Sequence, residues 1–216
     1  HQTREFVDSR AQMVAAHVAI IRHLDSRTLF MEERIPVVRN VRLGAMGGDA
    51  LSRPEVRRFA TRVLDRYLPP QSDVAVLLPC SARKPYSLSQ SHRRFTAAVA
   101  GRAVELIVTS PLGLVPREIE RIYPAAHYDI PVTGYWDREE LAATAGILAG
   151  FLSRHPYRRV IAHLEGGALQ AAEMAAAICE REIECTGGDR PASDRALARL
   201  SETLEGERAI RHDIVR

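Results

Sequence analysis

One stretch of this 216-residue chain gathers the groups that covalent chemistry needs. Cys80-Ser81-Ala82-Arg83-Lys84-Pro85-Tyr86, continued by Ser87-Leu88-Ser89-Gln90-Ser91-His92, holds a thiol, an ammonium, a phenol, four hydroxyls and an imidazole. Lys84 is the only lysine; every other strong base is arginine. A thiolate attacks electrophilic carbon, a nearby cation favours the thiolate, and an imidazole moves protons near neutral pH. That combination suggests covalent chemistry around Cys80. The competing reading is a solvated loop charge at Lys84 and a thiol that reacts with nothing.

The elements that must position these groups follow from hydrophobic pattern. Val74-Ala75-Val76-Leu77-Leu78 is a continuous apolar run, which predicts a fully buried strand over 73–79, and residues 91–100 predict a helix. The polar cluster then sits where a parallel strand hands over to a helix. Ligands bind at that crest in open α/β sheets, and the helix start adds unsatisfied N–H groups and a positive dipole end. The same setting predicts a lowered Cys80 pKa. Three more places fall on the crest: Ser110 and Gly113 after a strand over 103–109, His163 and Glu165 after a strand over 158–164, and the loop with His127, Tyr128 and Asp129. Gly113 would let backbone approach a ligand, or would serve a plain turn. His163 would contact a base or hold structure through hydrogen bonds. Aromatic rings in the 127–136 loop recognise unstacked bases or fill a core.

The pattern P-C-x-x-x-K-P-Y-x-x-S-x-x-H, met by Pro79, Cys80, Lys84, Pro85, Tyr86, Ser89 and His92, resembles the signature of archaeosine synthase, a tRNA-modifying family related to tRNA-guanine transglycosylases. The segment from Pro116 through His127, Tyr128 and Asp129 to Gly134 is similar to the stretch that follows that signature in the family. The resemblance covers about residues 52 to 190 and implies a uracil-DNA-glycosylase-like α/β fold. It also implies a substrate, a tRNA carrying 7-cyano-7-deazaguanine, whose nitrile takes an amine donor such as free lysine. On that reading Cys80 is the nucleophile, Lys84 activates the thiolate or holds a phosphate, and His92 or Asp129 transfers protons. Ser81, Tyr86, Ser89, Ser110, Gly113, His127, Tyr128, His163 and Glu165 are the substrate-binding candidates. Two other classes stay open: a module that binds tRNA or a modified base without turning it over, and a glycosylase or transglycosylase using Asp129 or Glu165 against the ribose.

Composition bounds the rest. Hydrophobic residues at 46% and charged residues at 26% are ordinary for a globular protein, and a formal charge of +3 permits an RNA partner without demanding one. Three cysteines without a C-x-x-C pair predict neither a disulfide framework nor a familiar zinc site, so no metal or other cofactor is expected. Cys179 and Cys185 read as structural. No apolar stretch predicts a membrane span and no signal pattern opens the chain, which gives a cytoplasmic expectation. His1 in place of a methionine suggests a piece of a longer protein.

Residues 1–50 read as a helix over 4–25 followed by a linker with a strand near 35–38, resembling the tail of a transglycosylase-like region; residues 51–216 read as the catalytic-type α/β domain. Within the latter, a helix begins at Pro54 and runs to about Tyr67, further helices are predicted near 116–122, over 137–154 with Asp137 as cap, over 167–181 and over 193–204 with Ser193 as cap, and a short strand over 182–185. The alternation predicts a three-layer architecture, a mainly parallel sheet with helices on both faces. The family's RNA-binding PUA domain is not evident, so a transglycosylase-like or PUA-containing partner chain, or missing parts of a longer chain, is expected to help hold tRNA. A homodimer is a further expectation.

Overall fold

The computed structural model describes residues 15–25, 27, 30, 34, 42–44, 47–129 and 135–210. The predicted strand near 35–38 and the first part of the predicted helix over 4–25 lie outside the described residues; the remainder of that helix is α1 (Ala15–Asp25).

A five-stranded sheet organises the molecule. Its strands are β2 (Val74–Pro79), β3 (Val104–Thr109), β4 (Gly113–Pro116), β6 (Arg159–Ala162) and β7 (Glu184–Cys185), in the spatial order β4-β3-β2-β6-β7. β2 is central and parallel to both neighbours; β4 alone runs antiparallel, along β3. The continuous apolar run of β2 is explained by cover on both sides. Val74, Val76 and Leu78 pack with Phe95 and Val99 of α3 (Gln90–Val99) and Leu200 of α6 (Asp194–Thr203). Ala75 and Leu77 join the opposite cluster, with Val56, Phe59 and Val63 of α2 (Pro54–Arg66), Leu148 and Phe151 of α4 (Arg138–Arg154) and Ala172 of α5 (Gly166–Ile178). Alternation along one strand thus feeds two cores, which is the expected three-layer arrangement.

Local chemistry sets where helices begin. Asp137 accepts from the Glu140 amide at 2.8 Å while the Glu140 carboxylate accepts from the Asp137 amide at 3.0 Å, a reciprocal cap that starts α4. Ser193 accepts from the Ala196 amide at 3.3 Å and starts α6. Pro54 opens α2, where its missing N–H costs nothing.

The helix expected near 116–122 is replaced by β4 and a 3-10 turn, Arg117–Ile119. The reason is burial: Leu114 and Val115 are fully enclosed and pair with Val108 and Ile107 across the ladder. Two further short strands, β1 (Leu43–Gly44) and β5 (Tyr128–Asp129), pair in parallel apart from the main sheet, so Leu43 lies against Tyr128 and Gly44 against Asp129. Leu43 is fully buried in the larger core.

Close packing at the end of β6 fixes one glycine. A Cβ on Gly187 would lie 2.4 Å from the Leu164 carbonyl oxygen and 2.6 Å from the Leu164 nitrogen, both backbone atoms that cannot yield. Gly187→Ala should therefore destabilise by about 1–3 kcal/mol through overpacking. Gly146, on α4 with open space around it, should instead gain about 0.5–1 kcal/mol as alanine. Urea midpoints moving in opposite directions for the two variants are the expected result.

Candidate active site at the sheet crest

Cys80 is the residue after the last one of β2, so the strand itself delivers the thiol to the crest. Pro79 pairs with Val108, and the next residues along, Cys80 and Thr109, are neighbours at the ends of two parallel strands. Thr109 is fully buried, and its hydroxyl acts to lower the thiol pKa. The Thr109 Oγ1 also lies 2.6 Å from the Tyr128 hydroxyl, which in turn hydrogen-bonds the Tyr86 hydroxyl. Both phenols are enclosed, and burial raises their pKa values so that they keep their protons.

Lys84 closes the cluster. Its Nζ lies 4.1 Å from the centroid of the Tyr128 ring and 5.9 Å from that of Tyr86, a cation–π arrangement, and donates to the Ser81 carbonyl at 3.3 Å. Burial lowers the Lys84 pKa, Cys80 and Asp129 act to raise it, and Arg42 acts to lower it. Asp129 is exposed at the rim and ion-paired with Arg42.

The expected lowering of the Cys80 pKa is not found. Desolvation is the largest influence and pushes the thiol up, against the smaller lowering from Thr109 and Lys84. A half-buried sulfur loses more hydration than one partly desolvated ammonium returns. The resting protein therefore holds a protonated thiol next to an amine whose own pKa has fallen.

His92 is fully buried between Tyr86, at 5.1 Å between ring centroids, and Phe95, at 5.3 Å. Its Nδ1 lies 2.8 Å from an Arg117 guanidinium nitrogen, which can only donate, so the imidazole proton belongs on Nε2. Burial and then the Arg117 charge drive its pKa down to about 3, and the ring is neutral at pH 7. Its Nε2 makes no hydrogen bond to a described residue.

The other candidates divide by what already occupies them. Ser81 donates to the Arg83 carbonyl at 3.0 Å and lies beside Lys84. Ser89 is the cap of α3, accepting from the His92 amide at 3.2 Å. Ser110 donates to Glu140 at 2.5 Å, which ties the end of β3 to the start of α4. Gly113, at φ 74°, is packed against Ile147, whose Cδ1 would lie 2.5 Å from an added Cβ. His127 is half-buried, 5.7 Å from the Tyr123 ring, with an Nδ1 that finds no described partner. His163, at the end of β6, is buried: its Nε2 donates to the Pro191 carbonyl at 2.8 Å and its Nδ1 accepts from the Thr186 hydroxyl at 2.9 Å. Glu165 is exposed just ahead of α5, and burial followed by Asp189 raises its pKa.

The structure thus brings together Cys80, Ser81, Lys84, Tyr86, Tyr128 and Asp129. His92 stands behind that group, and His163 is bonded toward β7. The predicted loop beyond Asp129, residues 130–134, lies outside the described residues. Cys179 is a half-buried core neighbour at the end of α5, and Cys185 is exposed at the end of edge strand β7. Among the described residues no group of His, Cys, Asp or Glu is placed to hold a metal ion, and no helix is long and apolar enough to cross a membrane. A cavity of about 580 Å³ lies elsewhere, between α2 and residues 119–124, with Arg58, Arg62, Tyr67 and Ile122 in its lining.

Two features escaped sequence reasoning. Thr109 is the hub of the thiol and both phenols, and nothing in a strand-end threonine announces that. Arg117, Glu105 and Glu120 form a buried ionic group beneath the Lys84 loop: Glu105 accepts from the Arg117 Nε at 2.8 Å, Glu120 accepts from an Arg117 terminal nitrogen at 2.8 Å, and Glu120 also accepts from the Ser87 amide at 3.1 Å. A glutamate inside the apolar strand Val104-Glu105-Leu106-Ile107-Val108 was the available signal, because a buried carboxylate needs a partner.

Fold and site together define an α/β domain with a cysteine at the carboxyl-end crest of a mainly parallel sheet. Residues 56–204 match the family described as domain of unknown function (DUF5591), and the chain belongs to that family. It is 45% identical over 205 residues to the archaeosine synthase subunit alpha of Methanosarcina acetivorans, which covers 94% of this chain and 33% of that protein. It is 42% identical over 205 residues to the archaeosine synthase of Haloferax volcanii, covering 94% of this chain and 35% of the relative. A tRNA-guanine(15) transglycosylase of Methanobrevibacter smithii is 28% identical over 167 residues, 74% of this chain and 24% of that one. Among solved structures, the crystal structure of AF0587, a protein of unknown function, superposes with a TM-score of 0.59 at 34% identity, over 71% of this chain and 52% of the other. The chain spans about a third of the length of the archaeosine synthases it matches.

Proposed function

We propose that this chain is the α/β domain of an archaeosine synthase, adding an amine donor, free lysine in this reading, to the nitrile of 7-cyano-7-deazaguanine in tRNA. The observation that carries it is Cys80 at the crest beside Lys84, in a chain similar to archaeosine synthases over nearly its whole length.

The chemistry balances without a cofactor. Cys80 sulfur bonds to the nitrile carbon and the thiol proton ends on the nitrile nitrogen, giving a thioimidate. The donor amine then adds to the same carbon, the carbon–sulfur bond breaks, and a proton from the amine returns to sulfur, leaving an amidine. Splitting the addition replaces one hard step by two easier ones. The Lys84 charge acts to lower the thiol pKa against the desolvation that raises it, which suits Lys84 as activator. Asp129, exposed at the rim, is the better placed of the two proton-transfer candidates, because His92 is sealed and neutral.

The uracil-DNA-glycosylase-like kinship of the fold, the division at residue 50 and a cytoplasmic setting belong to the same proposal. So does the need for a transglycosylase-like or PUA-containing region to hold whole tRNA, which the greater length of the relatives supports. Incubation with tRNA bearing the nitrile base and lysine should yield a nucleoside heavier by one lysine, and without lysine a Cys80 adduct by mass spectrometry. Base release instead would favour a glycosylase, and neither product a binding module; both results would overturn the proposal.

Lys84 offers a second check. Lys84→Arg keeps the charge and should retain part of the Cys80 reactivity, whereas Lys84→Met should move the thiol titration upward and slow iodoacetamide labelling at neutral pH. Normal titration in both variants, with salt-dependent loss of RNA affinity in Lys84→Met, would instead make Lys84 a phosphate contact.

A further inference from the structure

The hydroxyls around Cys80 have a direction, and the direction has a use. Tyr86 is fully buried, and its phenol hydrogen-bonds the Tyr128 hydroxyl, with the Thr109 hydroxyl also near it. A buried O–H needs an acceptor, so Tyr86 donates to Tyr128. Tyr128 has a single proton and two hydroxyl neighbours; having accepted from Tyr86, it donates to Thr109 Oγ1, 2.6 Å away. Thr109 has then accepted and must send its own proton elsewhere. Its acceptor in the structure is the Ser110 carbonyl, at 3.2 Å, and the alternative is the Cys80 sulfur, which the β2–β3 register sets beside Thr109 at the ends of two parallel strands.

We propose that Tyr86, Tyr128 and Thr109 form a one-way donor chain that ends on Cys80, making Thr109 and Tyr128 positioning residues that present a hydroxyl proton to the thiolate. With the thiol protonated, the Thr109 hydrogen turns to the Ser110 carbonyl. When the thiol ionises, the anion is the stronger acceptor and the hydrogen rotates onto sulfur. No proton leaves any of the three hydroxyls, because both phenols are held protonated by burial. The chain therefore offsets part of the desolvation that burial imposes on the thiolate. The charged and titratable groups that bear on the sulfur and its neighbours are Lys84, over the Tyr128 ring, and beyond it Asp129 with Arg42.

This inference rests on the reading of Cys80 as nucleophile, and its test does not depend on nitrile chemistry. The measurement is the pH dependence of iodoacetamide modification, read on the Cys80 peptide by mass spectrometry so that Cys179 and Cys185 do not contribute. Thr109→Val keeps the shape and removes the hydroxyl; the Cys80 midpoint should rise by about one pH unit, a slowing of roughly tenfold below it. Thr109→Ser restores the hydroxyl and should return the midpoint to that of the unaltered protein. Tyr128→Phe keeps a ring under Lys84 but leaves Thr109 undirected, and should raise the midpoint by a smaller amount. If Thr109→Val fails to fold, Tyr128→Phe still decides. Midpoints unchanged in every folded variant overturn the donor chain, even where the unaltered protein forms a nitrile adduct. Shifted midpoints without any nitrile adduct keep the chain and overturn the proposed reaction.

Discussion

Cys80→Ser should lose amine addition to the nitrile base by about a thousand-fold or more, equivalent to roughly 4 kcal/mol of barrier. On the proposed mechanism the sulfur attacks before the amine. A serine hydroxyl at the same place is a far weaker acid, and the small lowering that Thr109 and Lys84 supply to a thiol cannot make an alkoxide available at neutral pH. The fold should hardly register the change, since Cys80 is half-buried after the strand and nothing in the sheet ladder depends on its side chain. Affinity for the nitrile-bearing tRNA should stay within a few-fold. Single-turnover nucleoside analysis, with denaturant midpoints as control, checks this. Near-normal turnover in a folded serine variant would remove Cys80 from the reaction.

The parts of the fold legible in sequence are those that local pattern and capping decide. The apolar runs at 73–79, 103–109 and 158–164 became β2, β3 and β6, because strands covered on both faces carry no polar alternation to confuse them. Asp137 and Ser193 capped the helices expected of them, since a cap needs only residues three apart. What escaped was decided at long range. β1 and β5 are two residues each and exist through pairing between Leu43 and Tyr128, far apart in the chain. His163 looked available at a strand end, yet Thr186 and Pro191, from a later turn, already hold both its nitrogens. The direction of the Cys80 pKa depended on how deeply the thiol is buried, which no spacing reveals. Crest residues before the next helix were easier to locate than to assign, because position follows from the strand and chemistry follows from neighbours.

Arg117→Met should destabilise the protein by about 3–5 kcal/mol, the largest effect expected of any substitution away from the reacting groups. Its guanidinium lies between two enclosed carboxylates, Glu105 at 2.7 Å and Glu120 at 2.8 Å, which are 7% and 3% exposed. Removing it leaves both charges buried without a counter-charge, and it also takes the donor from His92 Nδ1. Arg117→Lys supplies charge but only one compact head, which cannot span three partners, so it should fall between the two. Converting Glu105 and Glu120 to glutamine in the Arg117→Met background removes the stranded charges and should recover much of the loss, a result that a simple packing defect would not give. The network also bears on reactivity, because Glu120 holds the Ser87 amide in the turn that follows Lys84. A variant that remains folded at low temperature should therefore show altered Cys80 labelling before it shows global unfolding. Urea denaturation followed together with labelling of the Cys80 peptide separates the two events; an unchanged Arg117→Met midpoint would mean the ionic group does not hold the fold, and unchanged labelling that it does not place the lysine loop.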